Sequence, residues 1–422
     1  MLSLNLEANE KLDRHLEVLG KGFAGIVEEG VKEGIVRVWA YPHPGAIVAA
    51  SLAFAHLYSI GVFAAFRVSL RPPPIVEVPT ILFGYPTLNY KSSDVTSKLI
   101  AVTHEEFNRG HPPPGAFYVG VDGSLASAYI MMAEASGLGG ISTSLQALAL
   151  PGIYLDGKVS RSGRIGGIDR VLVERLSQKG EVHFKIVTTL KVYKPHTRPF
   201  CESASATLIP PLDLGSTYQE CLDLLSSAGL RRVAEKPASS LESNEIDEIL
   251  ELIAERLGAE IEAGEYVAGV LVAEGASPQD PREAAHALVN AVESSQNYAS
   301  ILAAYLAPET EYTALERLLE DSAPAFLEKL LSAKPSRARG PGWLRVYTLG
   351  VSIESPTLSY LALRSINAID KDVVIGVPKG DSILISPLQA SLVDYTLPRR
   401  LIESRAALEE EFWLRLTVEE PP

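Results

Sequence analysis

Apolar and polar positions follow two rhythms along this chain, and together they outline most of its elements. Between Leu6 and about Val31, apolar residues at Leu12, Leu16, Leu19, Phe23 and Val27 recur every three or four positions among charged ones. That spacing predicts an amphipathic helix. The rhythm then changes. Ile35 to Tyr41 is a short apolar run rich in β-branched and aromatic residues, the mark of a buried strand. Pro42, Pro44 and Gly45 break it, Ala46 to Ile60 crowds small apolar side chains as on a helix buried on most sides, and Gly61 stands where a helix ends. Val62 to Leu70 reads as a second strand. Strand, helix and strand in this order make a βαβ unit, which implies a parallel sheet flanked by helices. Chemistry in such sheets sits just past the C-terminal ends of the strands, here at Tyr41-Pro42-His43-Pro44-Gly45.

The same reading carries down the chain. Strands are expected at Thr80–Phe83, ending at Gly84, at Lys98–Val102, running into Thr103-His104-Glu105, and at Phe117–Val121. A helix from Ser124 to Ser136 closes at Gly137, and Ser142 to Leu150 is a short helix or turn. Asp169 is placed to cap a helix that runs to Lys179 and stops at Gly180. Residues 182–194 alternate like an exposed strand pair, and Tyr218–Ala228 is helical. Glu235 to Ser240 is the best linker candidate, followed by an amphipathic helix through Leu257. A second α/β region follows, with a strand at Tyr266–Val272 and a helix at Pro281–Glu293 capped by Asp280. After Ile301–Leu306 come a helix at Thr313–Leu331 and strands at Leu344–Val351, Val373–Val377 and Ser382–Ser386, then an acidic helical tail from Leu401. There is no internal repeat.

Composition alters the picture in three places. The formal net charge is -14, but residues 241–330 hold 19 acidic against 4 basic side chains, and 158–198 hold 10 basic against 3 acidic. One basic block in an acidic protein can still meet a polyanion locally. Two cysteines, Cys201 and Cys221, are too few for a disulfide framework or a four-cysteine zinc site; two buried free thiols are expected over a bridge. The uncharged run from Ala46 to Phe66 is long enough to span a bilayer. Ser51, His56, Tyr58 and Ser59 interrupt it, however, and Gly61 divides it, so a buried βαβ core explains it better. No secretory signal opens the chain, and the expected compartment is the cytoplasm.

Familiar catalytic motifs are missing. There is no G-x-x-x-x-G-K-[ST] phosphate loop and no H-E-x-x-H, and no two of the eight histidines have zinc-ligand spacing. The order of strands and turns nevertheless resembles the DHH phosphoesterases, most closely their RecJ-like branch. That family's H-x-D-x-D-G motif falls on Ala40-Tyr41-Pro42-His43-Pro44-Gly45, where only the glycine is kept. The Asp of its second motif falls on Gly84, and D-H-H falls on Thr103-His104-Glu105, with only the middle His matching. The fourth motif, G-x-x-x-D, is intact at Gly152 and Asp156. Gly167-Ile168-Asp169-Arg170 and the run from Arg198 through Leu230 look like archaeal RecJ-like proteins. In the second half the G-G-G-H signature of the DHH-associated domain is absent, and Pro387-Leu388-Gln389-Ala390-Ser391 stands in its region.

The resemblance implies a two-lobed α/β fold: a mainly parallel sheet with flanking helices, plus a smaller C-terminal α/β domain like the DHH-associated one. The expected division is a DHH-like domain over 1–234, a linker and connecting helix over 235–262, the second domain over 263–400, and the tail helix over 401–422. Two-metal hydrolysis needs several carboxylates to hold hard cations together. Pro42, Pro44 and Gly84 offer no ligand atom and Thr103 a weak one, leaving His104, Asp156 and Glu105, enough for one weakly held ion but not for a bridged pair. No catalytic residue, metal or cofactor is therefore expected. The resemblance implies instead the inactive archaeal RecJ-like subunits of the CMG helicase, which act as scaffolds beside the GINS complex and the MCM ring. The alternative is a single-strand exonuclease or oligonucleotide phosphodiesterase with an atypical metal site. Single-stranded DNA is a further candidate ligand, with Lys158, Arg161, Arg164, Arg170, Lys191, Lys194 and Arg198 as its contacts. Tyr193 and Phe200 are available for base stacking. The competing explanation of that block is a solvated charged face.

Overall fold

A computed structural model of the chain describes residues 6–107, 111–139, 141–157, 159–160, 163–180, 182–258, 261–274, 279–338, 342–404, 407–409 and 412–417. The first helix, α1 (Leu6–Glu33), leads into β1 (Val36–Ala40), α2 (Pro44–Ser59) and β2 (Ala64–Val68), the expected βαβ unit. Strands β3 (Thr80–Phe83), β4 (Leu99–His104) and β5 (Ala116–Val121) complete a five-stranded sheet in the order β2-β1-β3-β4-β5, parallel throughout. Four helices follow: α3 (Leu125–Ala135), α4 (Thr143–Ala147), α5 (Leu150–Asp156) and α6 (Gly167–Lys179). Side chains of β1 alternate faces. Val36, Val38 and Ala40 join the large core shared with α1, α2, α3 and α5, while Trp39 and Tyr41 face a smaller core closed by the loop from Leu70 to Val95. The run that is long enough to span a bilayer is thus the centre of this core, and among the described residues no helix is long and apolar enough to cross a membrane.

The middle of the chain departs from expectation. β6 (His183–Leu190) does not pair with its own neighbour. Its partner, antiparallel along its whole length, is β7 (Val267–Glu274), across everything between them. Sequence alternation shows that a strand is half-exposed but not which strand it meets. Between the two lie α7 (Phe200–Ser205), α8 (Tyr218–Ser227), α9 (Ser243–Leu257) and α10 (Ala263–Tyr266), which share a core with Leu190, Val192 and Tyr266. Cys201 and Cys221 are disulfide-bonded inside that core, correcting the expected free thiols. Both cysteines are buried, and the packing of α7 on α8 brings them together. The candidate linker is packed too. Phe200 N–H donates to the Lys236 carbonyl, Ala238 is buried, and the Lys236 ammonium meets the buried Glu245 carboxylate at 2.7 Å.

The third unit holds α11 (Pro281–Ser295), capped by Asp280 as expected, then α12 (Ala299–Leu306) and α13 (Pro308–Ser332). Strands β8 (Ser336–Ala338) and β9 (Arg345–Thr348), helix α14 (Pro356–Ser365), β10 (Val373–Lys379), β11 (Ser382–Ile385) and helices α15 (Pro387–Val393) and α16 (Leu397–Glu403) come next. Among the described residues the tail is not a helix beyond Glu403: β12 (Ala407–Glu409) and β13 (Trp413–Thr417) close a six-stranded sheet in the order β12-β13-β11-β10-β9-β8. Only β9 and β10 run parallel in it. Acidic residues hid the strands, because Trp413, Leu414 and Leu416 are too few apolar positions to set a period.

Candidate functional site

The parallel sheet changes direction between β1 and β3, since β2 lies on one side of β1 and β3 on the other. Such a switch point opens a crevice at the strand ends. A cleft of about 720 Å³ lies there, lined by His43, His104, Glu106, Asp122, Asp156 and Tyr395 among others. His43 of the first motif, His104 and Glu105 of the triplet and Asp156 of the fourth motif all reach it, carried there by different elements.

His43 is the N-cap of α2, and its Nδ1 accepts the Gly45 N–H at 3.2 Å. Burial, with His104 beside it, drives its pKa down to about 3, so the ring is neutral and acts as a backbone acceptor. Pro42 and Pro44 are buried in the same turn, Pro44 as the first residue of α2, where its missing N–H costs nothing. Thr103 is buried and donates its hydroxyl to the Tyr85 carbonyl at 3.2 Å, away from ligand duty. At the end of β4, His104 Nε2 lies 3.5 Å from the Asp156 carboxylate. Burial disfavours the imidazolium, yet the hydrogen bond and charge of Asp156 outweigh it and hold the His104 pKa above its usual value. Asp156 ends α5 with 1% of its side chain exposed. Burial raises its pKa, and His104 offsets part of the rise. Gly45 makes room for it: a Cβ there would lie 2.1 Å from the Asp156 carboxyl carbon.

Sequence reasoning missed the residue that closes one wall of the cleft. Tyr395, from the turn between α15 and α16, stacks on His43 with ring centroids 4.6 Å apart and meets His104 edge-on at 5.3 Å. It also stacks on Tyr41 at 5.5 Å and packs on Phe107 at 4.9 Å. Its hydroxyl is enclosed and stands 2.4 Å from where a Cβ on Gly84 would be. The space in which a second-motif carboxylate would hang from β3 thus belongs to Tyr395. Ser391 and Leu392 line the same cleft, so the segment that lacks the expected glycines supplies the filling instead. No local signal marks Tyr395, because its role depends on a contact across most of the chain.

A pair of divalent cations would have to find its donors in this cleft. Among the described residues no group of three or more His, Cys, Asp or Glu side chains comes together in a way that could hold a metal. His43 spends one nitrogen on a backbone N–H, Asp156 is pressed against Gly45, and Tyr395 fills the space of the second-motif ligand at Gly84. These residues do not fit a bridged metal pair. Asp169, expected to cap its own helix, is fully buried and instead accepts from the Ser124 N–H and hydroxyl, fixing the turn from β5 into α3. The cap position of its helix belongs to Gly166.

The basic block is dispersed. Arg170 pairs with Glu174 at 2.7 Å and Lys194 with Glu316 at 3.4 Å, and Arg198 grips Glu320 with both ends of its guanidinium. Lys191 donates to the Gly264 carbonyl, and Arg164 is exposed. Lys158 and Arg161 lie outside the described residues. Tyr193 is buried beneath Lys194 and Arg198, and Phe200 is wholly buried, so neither ring offers a stacking face.

No family model matches the sequence, and no curated protein does. Solved structures do. CDC45 from Entamoeba histolytica superposes with a TM-score of 0.60 at 8% identity, covering 96% of this chain and 96% of that one. RecJ from Thermus thermophilus, in complex with Mn2+, gives a TM-score of 0.42 at 13% identity over 95% of this chain and 52% of that one. A manganese-bound RecJ exonuclease gives 0.42 at 13% identity, over 95% and 90% of the respective chains. At such identities the first likeness is one of fold: the chain has a CDC45-like fold, built on a parallel sheet flanked by helices.

Proposed function

We propose that the chain is a catalytically silent RecJ-like replication factor, a scaffold that joins the GINS complex to the MCM helicase. Three supports converge: the degenerate motifs, the fold shared with CDC45, and the cleft. The single observation that carries the reading is the Tyr395 hydroxyl standing in the space of the missing second-motif ligand. Hydroxide generation by two cations needs that space and several carboxylates around it. A side chain from the third unit uses it to join the two ends of the chain. Tyr41, His43 and Phe107 from the first unit clasp that ring, so the old reaction centre acts as an internal joint. What remains useful is the outer shape. Archaeal origin and a cytoplasmic location belong to the same proposal, as does single-stranded DNA as a further ligand.

The experiment mixes the purified chain with purified GINS and MCM, separates them by size exclusion at low and high salt, and assays the same fractions for manganese-dependent cleavage of single strands. Salt screens charge contacts within about 8–10 Å, so a complex that persists at high salt rests on a desolvated apolar centre. Co-elution at both salts without cleavage is the expected result. Separate peaks at both salts would remove the scaffold. Cleavage abolished by Asp156→Ala would restore the exonuclease alternative.

A further inference from the structure

A different basic surface is free of the ion pairs that occupy the 158–198 block. It lies at the β2 edge of the parallel sheet. In the register of β1 and β2, Arg37 sits opposite Ala65 and Trp39 opposite Arg67, so all four side chains share the face away from α2. Sequence alternation in VRVWA and AAFRV places both arginines outward, and Arg71 follows just past the end of β2. The Arg67 guanidinium lies 4.9 Å from the centroid of the half-exposed Trp39 ring. None of Arg37, Arg67 or Arg71 has a carboxylate partner among the described residues, in a protein whose net charge is -14. An open depression of about 500 Å³ lies over Arg37, Trp39 and Arg67, walled by Pro73, Pro74 and the exposed Ile75, with Glu77 at its rim. On the other side of the same edge, a larger groove lined by Arg67 and Arg71 has no carboxylate among the described residues of its wall.

We propose that this arginine–tryptophan edge is a binding site for single-stranded nucleic acid. Two chemistries meet there. Guanidinium groups spaced along a strand edge neutralise phosphates, and flat faces of Trp39 and Arg67 take bases by stacking, which every base can do. An acidic peptide would use the charges but has no use for the stacked planes. The proposal rests only on the single-strand part of the function above and moves that contact from the 158–198 block to the sheet edge.

The probe is a fluorescein-labelled oligothymidylate, read by anisotropy across a salt series with the full chain. Replacing Arg37, Arg67 and Arg71 together by Gln is expected to weaken binding at least tenfold at low salt. At roughly 0.7 in log K per log salt for each phosphate contact on single strands, it should also lower the slope by about 2. Glu77→Gln should tighten binding, which guards against a triple variant that merely unfolds. Oligothymidylate should quench tryptophan emission, and Trp39→Phe should remove the quench although Trp343 and Trp413 remain. An unchanged triple variant, an absent quench, or competition by polyglutamate as strong as by the oligonucleotide would overturn the site. If Arg164→Glu with Lys191→Glu abolishes binding while the triple variant does not, the original block survives and this site falls.

Discussion

At Gly84 the backbone takes φ +74°, and a Cβ there would lie 2.4 Å from the Tyr395 hydroxyl and 2.6 Å from the Ala46 methyl. Writing the family's carboxylate back at this position therefore meets two obstacles, a left-handed backbone and a filled space. Gly84→Asp is expected to destabilise the chain by about 2–4 kcal/mol, from backbone strain and overpacking together. Tyr395→Ala itself removes a buried ring at a cost of about 3–5 kcal/mol, so the pair is read as a cycle: Gly84→Asp should cost less in the Tyr395→Ala background than in the parent, but still something, because the Ala46 contact and the φ angle remain. Urea unfolding of the single and double variants measures both. Full tolerance of Gly84→Asp alone would mean that Tyr395 does not hold the space. The sequence makes Pro42, Pro44, Gly84 and Thr103 readable as missing ligands, since the chemistry of a side chain is local. It says nothing of Tyr395, whose partners Tyr41, His43 and His104 lie in another unit. The same limit applies to the basic block, where only folding brings Glu316 and Glu320 against Lys194 and Arg198.

At the scale of elements, Glu293 does for the third unit what Tyr395 does for the cleft. Its fully buried carboxylate, near the end of α11, accepts from the hydroxyls of Ser355, Thr357 and Ser386 and from the Thr357 N–H at 2.9 Å. Ser355 is the N-cap of α14 and Ser386 the N-cap of α15, so one carboxylate ties three helices together and faces the positive ends of two. Burial pushes its pKa up, while the hydroxyls pull the other way. Glu293→Gln keeps the shape but turns an acceptor oxygen into a donor amide, which cannot accept from hydroxyls already oriented to give. Losing two such buried bonds should cost about 2–4 kcal/mol, seen as a lower urea midpoint at unchanged slope. A midpoint within experimental error of the parent would show that water or relaxed hydroxyls replace the clamp. Elements marked by an unbroken apolar run or by one strong period were legible almost to the residue, as β3 at Thr80–Phe83 and α8 at Tyr218–Ser227. Helices α14 and α15 were not: α15 has only seven residues, and α14, though as long as α8, is buried on most sides and has no polar face to set a period.

For the molecule as a whole, the pairing of β6 with β7 decides which pieces can exist alone. Eight residues of each strand pair in full register, His183 with Glu274 through Leu190 with Val267. The sequence suggested a cut near residue 235, but a chain ending at Gly258 would strip β6 of its ladder partner β7 and open the core shared by Leu190 and Tyr266. Such a fragment is expected to elute as an aggregate in size exclusion, since an unpaired strand edge templates association. A monodisperse, folded fragment would mean that β6 is dispensable. The same ribbon has a consequence in time. Val267 leaves the ribosome 77 residues after Leu190, and at about 5–20 residues per second that is a delay of about 4–15 s. Throughout that interval β6 is born without its mate, so a slow stretch of translation between them lengthens the time its edge stays open to association.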